Sequence, residues 1–269
     1  MIHGRGIALG VVMAIVSLMV IAPVAAIVLA ATHATPEHLL AAAFSPRALA
    51  AYRLSFFSSL AASSFDLVAG AAIAAVLVRY RHGLPRVLDA IVDIPFAIPT
   101  AVTGITLATL YGPHGWIGSW LTDHGIAVAY TPLGIGLALA FVGLPFVVRT
   151  VEPVIALLPR EVHEAAASLG ASRAVVLRRV TLPLLLPALL TGFALAFARA
   201  LGEYGSVIFI AGNMPMHTEI APLLIVTRLE EYDYSGAAAI ALVSLGASFV
   251  LLLAINALQR RLSVARSAV

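Results

Sequence analysis

Residues 164–183 read EAAASLGASRAVVLRRVTLP and form the longest polar-rich segment of an otherwise apolar chain. The alanine-rich sequence from Glu161 to Leu169 favours a short helix, with its glutamates in the first turns, where the helix dipole stabilises negative charge. Gly170 can adopt the left-handed conformation that ends a helix, and Ser172 can cap the helix that follows. The pattern predicts a helix, a sharp turn and a second helix that Pro183 closes. Its small alanine side chains would let a second protein approach closely.

The composition of the whole chain places this segment in a membrane protein. Of 269 residues, 61% are hydrophobic and only 11% are charged, and the mean hydropathy is +1.03. A soluble domain is far less apolar than this. All 16 basic residues are arginine, so the chain has no lysine for a phosphate-binding loop, and any nucleotide hydrolysis linked to it belongs to another subunit. The absence of cysteine excludes disulfides and thiolate metal sites.

Six apolar segments predict an all-α integral membrane protein with six transmembrane helices, because about 20 apolar residues cross the hydrocarbon core as a helix. The first segment is too long for the core of a signal peptide. The fifth would be ~42 Å long as one helix, so either a break near residues 202–205 or a tilted helix would fit it. Four prolines inside the segments are expected to kink their helices. The predicted spans are residues 7–31, 54–78, 90–110, 131–148, 184–211 and 236–258.

The arginines predict the orientation of these spans. Twelve arginines lie in the segments on one side of the membrane and three in the segments on the other, and positively charged segments stay in the cytoplasm. Both termini are therefore expected to be cytoplasmic. Residues 149–183, between the fourth and fifth spans, would then form a cytoplasmic loop.

The polar segment resembles the EAA loop of ATP-binding-cassette importer permeases. In that family the loop contains a coupling helix that docks into a groove on the ATPase subunit. One residue, Val180, is a conservative departure from the family pattern. The resemblance assigns ATPase coupling to Glu164, Ala165, Ala166, Gly170, Leu182 and Pro183.

Further stretches are similar to the sulfate/thiosulfate branch of these permeases. They are residues 88–104, residues 144–153 and above all residues 201–215, which read LGEYGSVIFIAGNMP. The resemblance implies a multi-pass permease of the bacterial cytoplasmic (inner) membrane. Its implied partners are a second, related permease, two copies of an ATPase that consumes ATP, and an external sulfate-binding protein. A permease for molybdate or tungstate is the alternative, and an ion-coupled secondary transporter is a weaker one because the chain shows no internal repeat.

Charged residues near the outer end of the fifth segment mark a candidate pore or gate. Arg199 and Glu203 are four residues apart and so share a helix face within reach of an ion pair. Arg199 would either attract an anion in the pore or be neutralised by Glu203. If the helix breaks here, Tyr204, Gly205 and Ser206 also become candidates for the pore or gate.

Two aspartates lie in other spans, and no catalytic or metal site is expected in this chain. Asp66 is nearly mid-span and is expected to form a hydrogen bond with a neighbouring helix, whereas Asp93 is expected to reach toward the cytoplasm. The pair His163 and Glu164 begins a zinc-protease motif, but Ala167 stands where the second histidine ligand would be.

Overall fold

The computed structural model describes residues 2–80 and 84–267, and these residues contain helices, turns and loops but no strand. Side chains of a few residues near helix ends fall outside the description. Among them are Ala167 and several of the arginines on which the predicted orientation rests. In chain order the helices are α1 (Ile2–Thr32), α2 (Pro36–Ala43), α3 (Pro46–Arg79), α4 (Leu84–Ala97), α5 (Thr100–Tyr111), α6 (Gly118–Asp123), α7 (Pro132–Ala156), α8 (Arg160–Ser168), α9 (Arg173–Val176), α10 (Leu182–Leu201), α11 (Val207–Ala211), α12 (Ala221–Glu230) and α13 (Tyr234–Ser267).

Five helices are long and apolar enough to cross a membrane: α1, α3, α7, α13 and the helix formed by α9 and α10 together. A sixth span results if α4 and α5 are counted as one bent span. The predicted all-helical membrane fold is therefore confirmed. Three segments expected to be loops contain the short helices α2, α6 and α12, which are too short to have a membrane-length apolar run.

The third predicted span is sharply bent. Its two halves, α4 and α5, meet at an angle of 113° across Ile98 and Pro99. Proline has no backbone N–H and restricts the residue before it to extended conformations, so a helix cannot pass straight through Pro99. The N–H of Ile98 still bonds to Ile94, and α5 restarts with Thr103 bonding to Pro99. Residues 90–110 are thus two half-length helices rather than one straight span.

The fifth predicted span begins earlier than expected. From Arg173 to Leu201 the chain is one continuous helix, interrupted only by a π-helical turn over Leu177–Thr181. The N–H of Leu182 bonds five residues back to Leu177. This wider turn lies directly before Pro183, whose ring would clash with the carbonyl four residues earlier in a regular helix. Pro183 therefore does not close the second helix, as the sequence predicted, because the π turn accommodates it.

The helices α3, α7 and α10 form the centre of the bundle. Glycines allow them to approach closely. A side chain at Gly70 of α3 would meet Val147 of α7 at 2.9 Å, and one at Gly192 of α10 would meet the backbone of Val147 at 3.1 Å. Small residues at such contacts are typical of helix packing in membranes, where van der Waals contact drives association.

Polar contacts fasten α12 to the start of α3. Arg47 donates two hydrogen bonds of 2.7 Å to the buried carboxylate of Glu219, and Ser55 accepts one of 2.8 Å from the backbone N–H of Ala221. A bidentate pair of this kind fixes geometry as well as adding energy. The segment between α11 and α13 is thereby held against the central helices.

Candidate functional site

Glu203 organises the nonhelical segment between α10 and α11. Its Oε2 atom forms an ion pair with Nη1 of Arg199, one turn earlier on α10. Its Oε1 atom accepts hydrogen bonds from the backbone N–H of Ser206 at 2.8 Å and from the Ser206 hydroxyl at 2.9 Å. The Glu203 side chain is only 2% exposed, whereas that of Arg199 is 33% exposed. The carboxylate therefore ties the end of α10 to the start of α11 and has donors on both oxygens.

The same segment packs directly against the start of α5. A side chain at Gly104 would collide with the backbone carbonyl of Ser206, and one at Gly205 would collide with the hydroxyl of Thr100. The break before α5 and the break after α10 thus meet almost backbone to backbone. We call residues 98–104 and 202–206 together the helix-break joint. Nonhelical backbone at membrane depth is tolerated only where protein surrounds it or where it lines a cavity.

All five candidate pore or gate residues lie at or next to this joint. Glu203 and Ser206 are buried, and Arg199, Tyr204 and Gly205 are partly buried. Tyr204 packs against an apolar cluster supplied mainly by α7 and α11. The structure therefore brings these residues into one connected unit. Their role in transport stays a prediction.

The predicted coupling residues lie on α8, in the turn after it and at the start of α10. Glu164, Ala165 and Ala166 lie on α8, where the first two are exposed and the third is partly exposed. Gly170 follows the helix with a φ of +80°, and a side chain there would meet nothing within 4 Å. Leu182, which is exposed, and Pro183 instead begin α10. Of the predicted loop 149–183, only residues 157–172 connect α7 to the long helix.

Two large apolar side chains flank α8 and project from the molecule. Leu157, just after α7, is 81% exposed, and Leu169, just after α8, is 88% exposed. Ser172 caps α9 by accepting a hydrogen bond from the N–H of Val175 at 3.4 Å. The connecting segment therefore presents apolar side chains beside small ones on a well-defined turn, which suits a surface that another protein covers.

A four-residue charged cluster joins α4 to α7, and sequence reasoning did not find it. Arg149 donates to Asp93 at 2.6 and 2.9 Å, to Asp89 at 2.7 Å and to Glu152 at 2.8 Å. The only sequence signal was the helical spacing of Asp89 and Asp93, which are four residues apart on one face of α4. The cluster anchors the bent span to α7 at the end opposite the helix-break joint.

The hydrogen bonding of Asp66 differs from what the sequence predicted. It lies on α3 and is 1% exposed, yet neither carboxyl oxygen has a hydrogen-bond partner within the described part of the chain. The expected hydrogen bond to a neighbouring helix was wrong because α7 presents Gly143 at this position and α10 presents Ala196, neither of which has a polar side chain.

Comparison with known proteins relates this arrangement to transport systems. Residues 67–264 match the family model described as the binding-protein-dependent transport system inner membrane component. The chain is 50% identical over 239 residues to a probable sulfate transport system permease protein CysT of Nephroselmis olivacea, covering 89% of this chain and 84% of the relative. It is 46% identical over 258 residues to the sulfate transport system permease protein CysT of Escherichia coli strain K12, covering 96% of this chain and 93% of the relative.

The fold also matches a solved structure. A chain of a bacterial alginate ABC transporter, crystallised in complex with an alginate pentasaccharide-bound periplasmic protein, superimposes with a TM-score of 0.78 at 17% identity. The match covers 96% of this chain and 95% of that chain. At this identity the likeness concerns the fold alone. The match to the family model over most of the sequence shows that this chain belongs to the family of inner membrane components of binding-protein-dependent transport systems.

Proposed function

We propose that this chain is the membrane-spanning permease subunit of an ATP-driven importer that translocates sulfate. One observation carries the proposal: relatives named as sulfate transport permeases are 46–50% identical to it over 80–96% of its length. A similarity of this extent includes both the helix-break joint and the segment around α8.

The proposed complex contains more than this chain. A second, related permease would complete the pore, two copies of an ATPase would bind and hydrolyse ATP on the cytoplasmic side, and an external binding protein would deliver the anion. The surface offered to the ATPase would be α8 with Gly170, Leu157 and Leu169. The support for this assignment is their exposure together with the small side chains of Ala165 and Ala166.

The proposed mechanism is a switch between two arrangements of rigid helices. ATP binding would favour one arrangement, and hydrolysis would return the complex to the other. Arg173 to Leu201 form one helix of 29 residues, about 43 Å long, that begins next to the coupling segment and ends at the helix-break joint. Movement imposed on α8 by the ATPase would reach the joint along this helix.

The test is uptake of labelled sulfate by cells in which this gene is deleted and then restored. We expect uptake to require this chain and ATP, and to be reduced by unlabelled thiosulfate but not by molybdate. Preferred uptake of molybdate or tungstate would retain the importer and change the cargo. Uptake that survives ATP depletion and follows an ion gradient would contradict the importer itself.

A further inference from the structure

A stripe of buried polar side chains runs along the inner face of α3. Ser59, Ser63 and Asp66 are spaced four and three residues apart, so they lie on one face of the helix. Each is at most 1% exposed, and none of their side-chain oxygens has a hydrogen-bond partner in the part of the protein described. Ser64, on the exposed face, bonds instead to the carbonyl of Leu60 at 2.7 Å. The exposed Ser64 is thus satisfied by its own helix, while the three buried side chains are not.

Asp66 lies far from both ends of its helix. It is central in the predicted span 54–78, ~18 Å from either end of that span measured along the axis of α3. A side chain as short as aspartate cannot reach the membrane surface from this depth. The carboxyl group is therefore enclosed by protein at hydrocarbon depth.

On the sides facing α7 and α10, this carboxyl group meets small apolar residues at close range. Its Oδ2 atom lies against Gly143 of α7 so closely that a methyl group at residue 143 would collide with it, and the methyl group of Ala196 on α10 borders the same place. A sodium or potassium ion needs a shell of several oxygen atoms and the space to hold them. The contact with Gly143 blocks that side of Oδ2, and the described residues include no group of three or more histidine, aspartate or glutamate side chains that could hold a metal ion.

Arginines on three helices that pack against α3 already have acidic partners. On α7, Arg149 is bonded to Asp89 and Asp93 of α4 and to its own neighbour Glu152, and on α10 Arg199 pairs with Glu203. On α12, Arg228 pairs with Glu231 and Asp233. The helices α2 and α4 also pack against α3, and none of their described side chains bonds to Asp66. An ionised Asp66 would thus be a buried charge with no counter-charge among the described residues, an arrangement that strongly destabilises a protein.

We propose that Asp66 is a proton-binding site in the core of this permease, with its carboxyl group protonated in the conformation described here. A proton removes the charge without needing the space that a metal ion requires. The neutral side chain then allows α3 to lie against Gly143 and Ala196. If the transport cycle admits water between α3 and α7, proton release and the conformational change are linked, and each favours the other.

Infrared spectroscopy of the full-length protein in lipid vesicles at neutral pH tests the proposal. A protonated carboxylic acid has a carbonyl band separate from the carboxylate bands, and this band shifts in heavy water. We expect the wild-type protein to show the band and Asp66→Asn to lose it. The matched control, Asp93→Asn, changes an ion-paired aspartate and should leave the band intact while weakening the carboxylate bands.

Two further measurements keep the proposal falsifiable. Asp66→Asn is nearly isosteric with the protonated side chain, so we expect the variant to insert and accumulate normally. Replacing sodium and potassium by choline should leave the wild-type spectrum unchanged. If Asp66→Asn fails to accumulate, Asp66→Ala, which also removes the carboxyl group and needs less space, takes its place and should likewise lose the band. Absence of the band from the wild-type protein, its persistence in Asp66→Asn, or a cation-dependent change in the spectrum would each overturn the proposal.

Discussion

The pair formed by Arg199 and Glu203 bears on two interpretations of the charge in the fifth span. Glu203 is almost completely buried and accepts from Ser206 as well as from Arg199. An anion that bound Arg199 would have to compete with this carboxylate. The geometry favours the second interpretation, in which the pair neutralises itself and fixes the helix end, over an anion site built on Arg199 alone.

Removing only the positive partner should be worse than removing both charges. Arg199→Met leaves the buried carboxylate of Glu203 unpaired, which costs ~3–5 kcal/mol of stability. Adding Glu203→Gln removes that charge, and the amide oxygen can still accept from Ser206. We therefore expect the double variant to recover most of the thermal stability and membrane level lost in Arg199→Met.

The matched control for this comparison is Arg228→Met. Arg228 pairs with Glu231 and Asp233, whose side chains are 46% and 22% exposed, so its loss should cost at most ~1 kcal/mol. If the Arg199 and Glu203 changes prove additive instead, the two residues have separate roles, and the self-neutralising interpretation fails.

At the scale of elements, each half of the bent span formed by α4 and α5 is attached to the bundle. Arg149 fastens α4 to α7, and the contact of Gly104 with Ser206 fastens α5 to the segment between α10 and α11. Neither α4 nor α5 can cross ~30 Å of hydrocarbon alone, so their orientation depends on these two attachments. We infer that the bent span moves with α7 and α11 as one body.

Gly104→Ala tests the joint directly. The added methyl group would meet the backbone carbonyl of Ser206, which cannot rotate away as a side chain could. Overpacking of this kind costs ~1–3 kcal/mol and moves the backbone. We expect strongly reduced uptake with normal membrane insertion.

Gly136→Ala on α7 is the control for that substitution. A side chain at this position would meet nothing within 4 Å, and alanine is the better helix former, so uptake and stability should be unchanged or slightly improved. Equal uptake by the Gly104 and Gly136 variants would show that the close contact at the joint has no part in transport.

Apolar length and helix-stopping residues made much of this architecture predictable. The all-helical membrane fold follows from long apolar runs, which only helices can form in a single chain of this composition. The 113° bend did not follow, because Pro99 predicts a kink but not its size. The Arg149 cluster was missed because its partners on α4 are about 60 residues away in sequence.

At the scale of the whole molecule, the segment around α8 is the proposed point at which the ATPase acts. It exposes Leu157 and Leu169 to the surroundings, and it is followed directly by the long helix that ends at Leu201. The π turn before Pro183 keeps this helix continuous instead of ending it. A displacement at one end is therefore not lost in a flexible loop before it reaches the joint.

Two substitutions in this segment should separate assembly from folding. Gly170 has a φ of +80°, which proline cannot adopt, so Gly170→Pro should reorient α8 relative to α9. Glu164→Lys reverses an exposed charge on the proposed contact surface without changing the backbone. Because both positions are exposed, the helical bundle should stay intact. We expect each variant to insert normally, to lose co-purification with the ATPase subunit and to abolish ATP-dependent uptake.

Glu37→Lys is the control for these changes, since it reverses an exposed glutamate on α2, an element separate from the coupling segment. It should leave co-purification intact.

A milder change, Gly170→Ala, places a side chain in the left-handed conformation at a cost of ~1–2 kcal/mol and should weaken association only partly. Normal co-purification of both Gly170→Pro and Glu164→Lys would remove α8 as the ATPase contact. Loss in Gly170→Pro alone would mean that the turn matters while the Glu164 charge does not.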